Sequence, residues 1–259
     1  MDVNVANALY FPVGLVIGAM RVALVIGCLA LDAPWFRKPE TIAGYLKLLG
    51  CTVTWRHPER IPAGRHIVTC NHVTVGDMMA FFQRPPGAPR YCTLVTPALP
   101  QRVLDCKHLP VTMAYASPAV FEELETTSDP SPVLVFPEGG MTNGRGMLRF
   151  SRGFTKLLNL KQKGGAQPVP VVPVALRVRC MDGVNTHTLT SSFMANLFWL
   201  CFSPRVELIA TALPPMTPAP GEARGAFANR VQAAMAEELG VKVYDMTIQQ
   251  KKALMAKKK

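Results

Sequence analysis

Acidic residues are scarce in this chain: 17 Asp and Glu stand against 28 Lys and Arg, giving a net charge of +11 over 259 residues. A balance of that sign admits nucleic acid as a partner. No zinc-finger spacing, basic recognition helix or aromatic-interleaved RNA motif accompanies it, so an anionic lipid surface is the simpler expectation and no nucleic acid is expected. Paired cysteines are missing as well. Cys28, Cys51, Cys70, Cys92, Cys106, Cys180 and Cys201 are odd in number, scattered and without a C-x-x-C, which excludes a disulfide framework and a cysteine zinc site and reads as reduced thiols. His57, His66, His72, His108 and His187 form no H-E-x-x-H and no i, i+4 pair, so no metal is expected. The absence of G-x-S-x-G argues against a serine hydrolase. No internal repeat is present.

Long charge-free runs are uncommon in soluble chains, and this one has one. Across residues 8–31, Arg21 is the only charge in 24 residues; as a helix the segment measures about 36 Å, enough for a bilayer core of about 30 Å. The residues before it carry Asp2 and no Lys or Arg, which disfavours a signal peptide; a buried core helix is the other reading. Pro12, Gly14, Gly18, Gly27 and the central Arg21 also admit a broken helix or hairpin, with Arg21 snorkelling to headgroups. Span and hairpin both stay open. Arg37 and Lys38 follow, so the positive-inside bias puts the rest of the chain on the cytoplasmic face. The expected organisation is a membrane anchor at 1–38, one catalytic domain at 39–245, and a basic tail at 246–259, solvated or touching the membrane, that holds five of the 28 basic residues.

Beyond the anchor, apolar spacing predicts a helix over 41–49 ended by Gly50, and strands over 51–55, 67–70, 91–95, 133–136, 171–178 and 205–210. Helices are expected near Ala80, over 119–125 and over 154–161. A last helix carries Phe227, Val231, Met235 and Leu239 and is closed by Gly240. The apolar patch at 193–202 is read first as core. The Pro-rich run 213–220 connects the last strand to the last helix. Strands alternating with helices in this way predict an α/β fold, a mixed, largely parallel sheet with helices on its faces.

Two turns carry the chemistry. In Asn71-His72-Val73-Thr74-Val75-Gly76-Asp77 an imidazole and a carboxylate follow a short β-branched run. On a strand-to-helix turn, Asp77 can accept from one ring nitrogen of His72, leaving the other free to take a proton. Backbone N–H groups near this turn are candidates for stabilising an oxyanion. In Phe136-Pro137-Glu138-Gly139-Gly140-Met141-Thr142-Asn143-Gly144-Arg145 the glycines permit a backbone nest suited to phosphate, with Arg145, Arg149 and Arg152 as charge donors; an ordinary turn is the bland alternative.

Asn71-His72-x4-Asp77 and Phe136-Pro137-Glu138-Gly139, in this order and followed by Val169-Pro170-Val171-Val172-Pro173-Val174, resemble the glycerolipid acyltransferase family. The stretch 138–143 is similar to the E-G-T-x-T-N pattern of the branch holding the lysophosphatidylcholine acyltransferases and the ancient ubiquitous protein. The resemblance implies acyl transfer from acyl-CoA, as co-substrate and without a cofactor, to a lysophospholipid hydroxyl at a phospholipid membrane. His72 is then the general base, and Asp77 its orienting partner. Glu138, Gly139, Gly140, Thr142 and Asn143 shape the acceptor site, and Arg145 is the candidate contact to phosphate. It further implies a cytoplasm-facing domain on the endoplasmic reticulum or a lipid droplet. Two departures stand out: the segment 106–114 lacks the family's middle-motif Arg, leaving Lys107 or an Arg elsewhere for that role, and Gly140 stands where relatives have Thr. They motivate the alternative of a weakly active or inactive acyltransferase-like scaffold.

Overall fold

The computed structural model describes residues 5–31, 38–83, 90–95, 105–106, 109–127, 129–160, 168–188 and 191–256. Lys107, Arg37, Asp2 and the final three lysines lie outside the described residues. Seven strands form one sheet in the order β1 (Cys51–Arg56), β8 (Val206–Ala212), β7 (Val171–Arg179), β2 (Ile67–Cys70), β5 (Val133–Val135), β3 (Cys92–Val95), β4 (Thr112–Tyr115). Every neighbouring pair is parallel except β7 with β8, which is the expected mixed, largely parallel sheet. Its central strands are covered on both faces, so Ile67, Val68, Val133, Leu134, Val171 and Val172 are all fully buried and their sequences read as unbroken apolar runs. A second, two-stranded sheet pairs β6 (Gly146–Leu148) with β9 (Lys242–Tyr244).

The helices are α1 (Val5–Ala30), α2 (Pro39–Leu48), α3 (Pro118–Thr126), α4 (Phe193–Phe202), α5 (Arg224–Leu239) and α6 (Ile248–Ala256). Gly50 and Gly240, at φ +70° and +65°, close α2 and α5 in the left-handed conformation, as glycine after a helix should. Phe227, Val231 and Met235 of α5 pack with Phe154 and Leu157 in the core on one sheet face. Two expected helices are tighter: Asp77–Phe81 and Arg152–Asn159 are 3₁₀ segments. None of the seven cysteines forms a disulfide.

Three findings bear on the expectations. First, α1 is one unbroken helix despite Pro12 and its glycines, the helix and not the hairpin of the two readings. The glycines serve close approach: a Cβ on Gly14 would sit 2.5 Å from the Phe202 ring, and one on Gly18 3.1 Å from the Phe198 ring. Secondly, Arg21 does not snorkel. Its guanidinium donates to the carbonyls of Leu48 (3.0 Å), Cys201 (3.1 Å), Ser203 (2.6 Å) and Pro204 (3.3 Å), closing the carboxyl end of α4, where orphan carbonyls favour a cation. Tyr10 Oη–H adds a bond to the Phe202 carbonyl at 2.8 Å. Thirdly, α5 is not the last helix. The supposed basic tail at 246–259 contains α6, which packs on the domain through Ile248 and Lys251.

Candidate active site

β2 and β5 are adjacent and parallel, so the turns that leave their carboxyl ends face each other, the usual place for ligands in an open α/β sheet. The β2 turn is fastened first by Asn71. Its amide nitrogen donates to the Leu176 carbonyl at 2.9 Å and its oxygen accepts from Leu176 N–H at 2.7 Å, so the side chain continues the pairing with β7 one residue past the strand's end. Gly76 follows because a Cβ there would meet Met79 Cε at 2.4 Å and Leu200 Cδ2 at 2.7 Å.

His72 follows Asn71, and Asp77 follows Gly76. His72 Nδ1 and Asp77 Oδ2 are 2.8 Å apart. Asp77 is only 1% exposed, whereas the His72 side chain is 26% exposed. The same Oδ2 accepts from Val73 N–H at 2.6 Å, and Oδ1 accepts from Thr74 N–H at 3.0 Å and Thr74 Oγ1–H at 2.9 Å. With every neighbour a donor, the carboxylate acts as acceptor only. The ring proton therefore sits on Nδ1, and Nε2 is left with the free lone pair. Phe136 covers the imidazole at 4.7 Å between ring centroids.

These bonds narrow one expectation. The N–H groups of His72, Val73, Thr74 and Gly76 are engaged by Glu138, Asp77, Asp77 and Thr74 Oγ1 respectively, so these four are not oxyanion donors.

Glu138 is 2% exposed and braces the site. One carboxylate oxygen accepts from His72 N–H and the other from Leu148 N–H, each at 2.8 Å, tying the β2 turn to β6. Burial pushes its carboxyl up to about 7, against the downward pull of those two N–H groups. Gly139 and Gly144 adopt φ +70° and +74°, as the nest reading requires. Much of the loop's polarity is turned inward: Thr142 N–H donates to the His72 carbonyl at 2.8 Å, Gly144 N–H to Thr142 Oγ1 at 3.2 Å, and Arg145 N–H to Asn143 Oδ1 at 3.1 Å. The loop closes over the dyad turn, with Val73 Cγ1 3.2 Å from where a Gly144 Cβ would be.

Of the three arginines, two are turned to other partners. Arg149 donates to Asp245 at 2.7 Å, Arg152 lies against Gly225, and Arg145 is exposed. Residues the sequence did not single out come in instead. Lys251 Nζ donates to the Met141 carbonyl at 2.6 Å and lies 3.1 Å from His187 Nε2. Burial, with the charges of Lys251 and His72, pulls the His187 imidazole down to about 4. The available signal was Thr247-Ile248-Gln249-Gln250, a helix-starting box in which Thr247 Oγ1 accepts from Gln250 N–H at 3.2 Å and Gln250 Oε1 accepts from Thr247 N–H at 2.8 Å.

The structure thus sets a His–Asp pair at the end of one parallel strand against a Pro-Glu-Gly turn at the end of the next, and comparisons with known proteins point to acyltransferases. The acyltransferase family model matches residues 102–177, a stretch that includes the Glu138 turn and begins after the dyad. The fold is shared with the 1-acyl-sn-glycerophosphate acyltransferase PlsC of Thermotoga maritima, at a TM-score of 0.52 and 15% identity over 78% of this chain and 77% of that one. The chain thus carries a stretch that matches acyltransferases and has a fold like that of PlsC. Its sequence is similar to the lipid droplet-regulating VLDL assembly factor AUP1, 35% identical over 117 residues in Danio rerio and 34% over 116 in Homo sapiens. The matched stretches cover 45% and 44% of this chain and only about a quarter of each relative, 25% and 26%.

Proposed function

We propose that this protein moves a fatty acyl group from acyl-CoA to the free hydroxyl of a lysophospholipid. The observation that carries the reading is the His72–Asp77 contact at 2.8 Å, with a buried, fully engaged Asp77 and a partly exposed imidazole. His72 Nε2 takes the acceptor's hydroxyl proton as its oxygen attacks the thioester carbonyl. The new C–O ester bond forms, the C–S bond breaks, and the proton held by His72 passes to the departing CoA thiolate. No covalent enzyme intermediate is needed. Asp77 stabilises the imidazolium, and Glu138 is a positioning residue that fixes the backbone of His72.

The substrates partition into lipid, and α1 supports a membrane anchor. It is the one helix among the described residues long and apolar enough to cross a bilayer. Arg21, near its middle, is hydrogen-bonded to the carbonyls of the body, which favours a helix lying along one leaflet over one crossing both. Val5, Leu9, Val13, Val16 and Met20 of α1, with Phe193 and Met194 of α4, offer an exposed apolar surface for that contact. The reading puts the domain on the cytoplasmic side of the endoplasmic reticulum or a lipid droplet.

A second reading, a lipid-droplet factor that keeps the fold without turnover, is favoured by the relatives' names, which describe regulators of lipid droplets. CoA release by the purified protein in vesicles, across a matrix of lysolipids and acyl-CoAs, separates the two. Acceptor-dependent CoA release supports the enzyme; its absence from the whole matrix overturns it in favour of the scaffold.

A further inference from the structure

One of the two departures, Gly140, lies against α6. A Cβ on Gly140 would lie 2.4 Å from Ile248 Cδ1 and 2.9 Å from Cγ1, and one on Gly139 3.3 Å from Ile248 Cγ2. The volume that a side chain at 140 would fill therefore belongs to Ile248. One helical turn further on the same face stands Lys251, whose Nζ reaches the Met141 carbonyl and His187 Nε2. Met141 precedes Thr142, which is bonded to the His72 carbonyl, so the ammonium is delivered to the rim of the dyad.

Burial disfavours the ammonium, and the nearby Glu138 charge favours it. Both acceptors are neutral groups, and among the described residues no carboxylate forms an ion pair with it. An ammonium can only donate, so His187 Nε2 must accept and Nδ1 must carry the ring proton. Asn196, 1% exposed, lies 3.2 Å from that Nδ1. Its amide nitrogen faces the ring, and its Oδ1 is buried with no hydrogen-bond partner among the described residues. Turning the amide over sets Oδ1 to accept from Nδ1–H, and Asn196, His187 and Lys251 then form one donor chain ending in a cation beside the site.

We propose that Lys251, carried by α6 and held by Met141 and His187, is the specificity-determining cation that binds the phosphate of the acceptor lipid. It takes the place of the missing middle-motif Arg, and Gly140 is the concession that lets α6 approach. The proposal rests on the acyl-transfer reading, and α6 thereby becomes a wall of the acceptor site instead of a tail.

The test uses the full chain in detergent or vesicles with two acceptors that share an acyl chain, lysophosphatidic acid and monoacylglycerol, the second lacking phosphate. Lys251→Gln should lower the ratio of kcat/KM for lysophosphatidic acid over monoacylglycerol at least about tenfold, the scale of one charge-assisted hydrogen bond, mainly through KM. Lys251→Arg should keep most of the selectivity. An equal loss with both acceptors assigns Lys251 a structural role only. A gain in turnover on Lys251→Gln, or on truncation after Asp245, makes α6 a plug. Either result overturns the proposal. A readout independent of turnover is the His187 ring resonance: glycerol 3-phosphate should shift it in the wild type and not in Lys251→Gln. A shift without turnover of any lipid rejects acyl transfer and keeps the phosphate site; turnover with neither a shift nor a selectivity change does the reverse.

Discussion

Replacing Asp77 by Asn is nearly isosteric, so its consequences follow from hydrogen-bond polarity alone. The carboxylate accepts four bonds, two on each oxygen, whereas an amide offers one acceptor and one donor. If the NH2 replaces Oδ2, it confronts Val73 N–H and His72 Nδ1. The imidazole then moves its proton to Nε2, the atom that has to receive the acceptor's proton. If it replaces Oδ1, the Thr74 N–H and hydroxyl lose their acceptor and the turn loosens. Bonds to a charged group contribute about 1.5–3 kcal/mol each, so Asp77→Asn is expected to cost about 3–5 kcal/mol of stability. It should also reduce kcat about 10³- to 10⁴-fold, the scale of losing the carboxylate that orients a catalytic imidazole. Thiol release from acyl-CoA gives the rate, and thermal melting monitored by circular dichroism gives the stability. A folded Asp77→Asn protein that turns over within about tenfold of the wild type refutes the reasoning.

Other outcomes follow from the same bonds. His187, whose pKa is depressed from 6.5 to about 4, contributes stability that is present above its ordinary value and lost as pH falls through about 4. His187→Gln should flatten that acid-side loss in urea titrations, and Lys251→Met should raise the NMR midpoint of His187 by removing a nearby charge. Gly140→Thr would force its Cβ into Ile248, so α6 should detach, with faster proteolysis across 248–256; Gly140→Thr/Ile248→Ala should restore protection. Arg21→Met removes four bonds to carbonyls and is expected to lower stability by about 2–4 kcal/mol, read as a lower Tm.

The sheet was legible because its central strands are buried on both faces, leaving β-branched runs such as Ile67–Cys70 and Val171–Arg179 that survive without context. β4 and the β6–β9 pair were not. Thr112–Tyr115 reads TMAY, and the small sheet is three residues long in each strand, too short for a period to emerge. His72 and Asp77 were legible because they lie five residues apart on one turn. Lys251 was hidden for the opposite reason: it meets Met141 at a separation of 110 residues and His187 at 64, and only the fold joins them. Composition misled at the two ends of the chain. Arg21 in an apolar helix reads as snorkelling until the α4 carbonyls appear, and a lysine-rich end reads as a solvated tail until Ile248 is found filling the space above Gly140.

The most direct test of the central claim, that His72 takes the acceptor's proton, is transfer of labelled acyl from acyl-CoA to lysophospholipid by His72→Ala, compared with the wild type at equal melting temperature and equal acyl-CoA binding. The account predicts a loss of at least about 10³-fold in ester formed per enzyme. Transfer by a folded His72→Ala protein at the wild-type rate would contradict it.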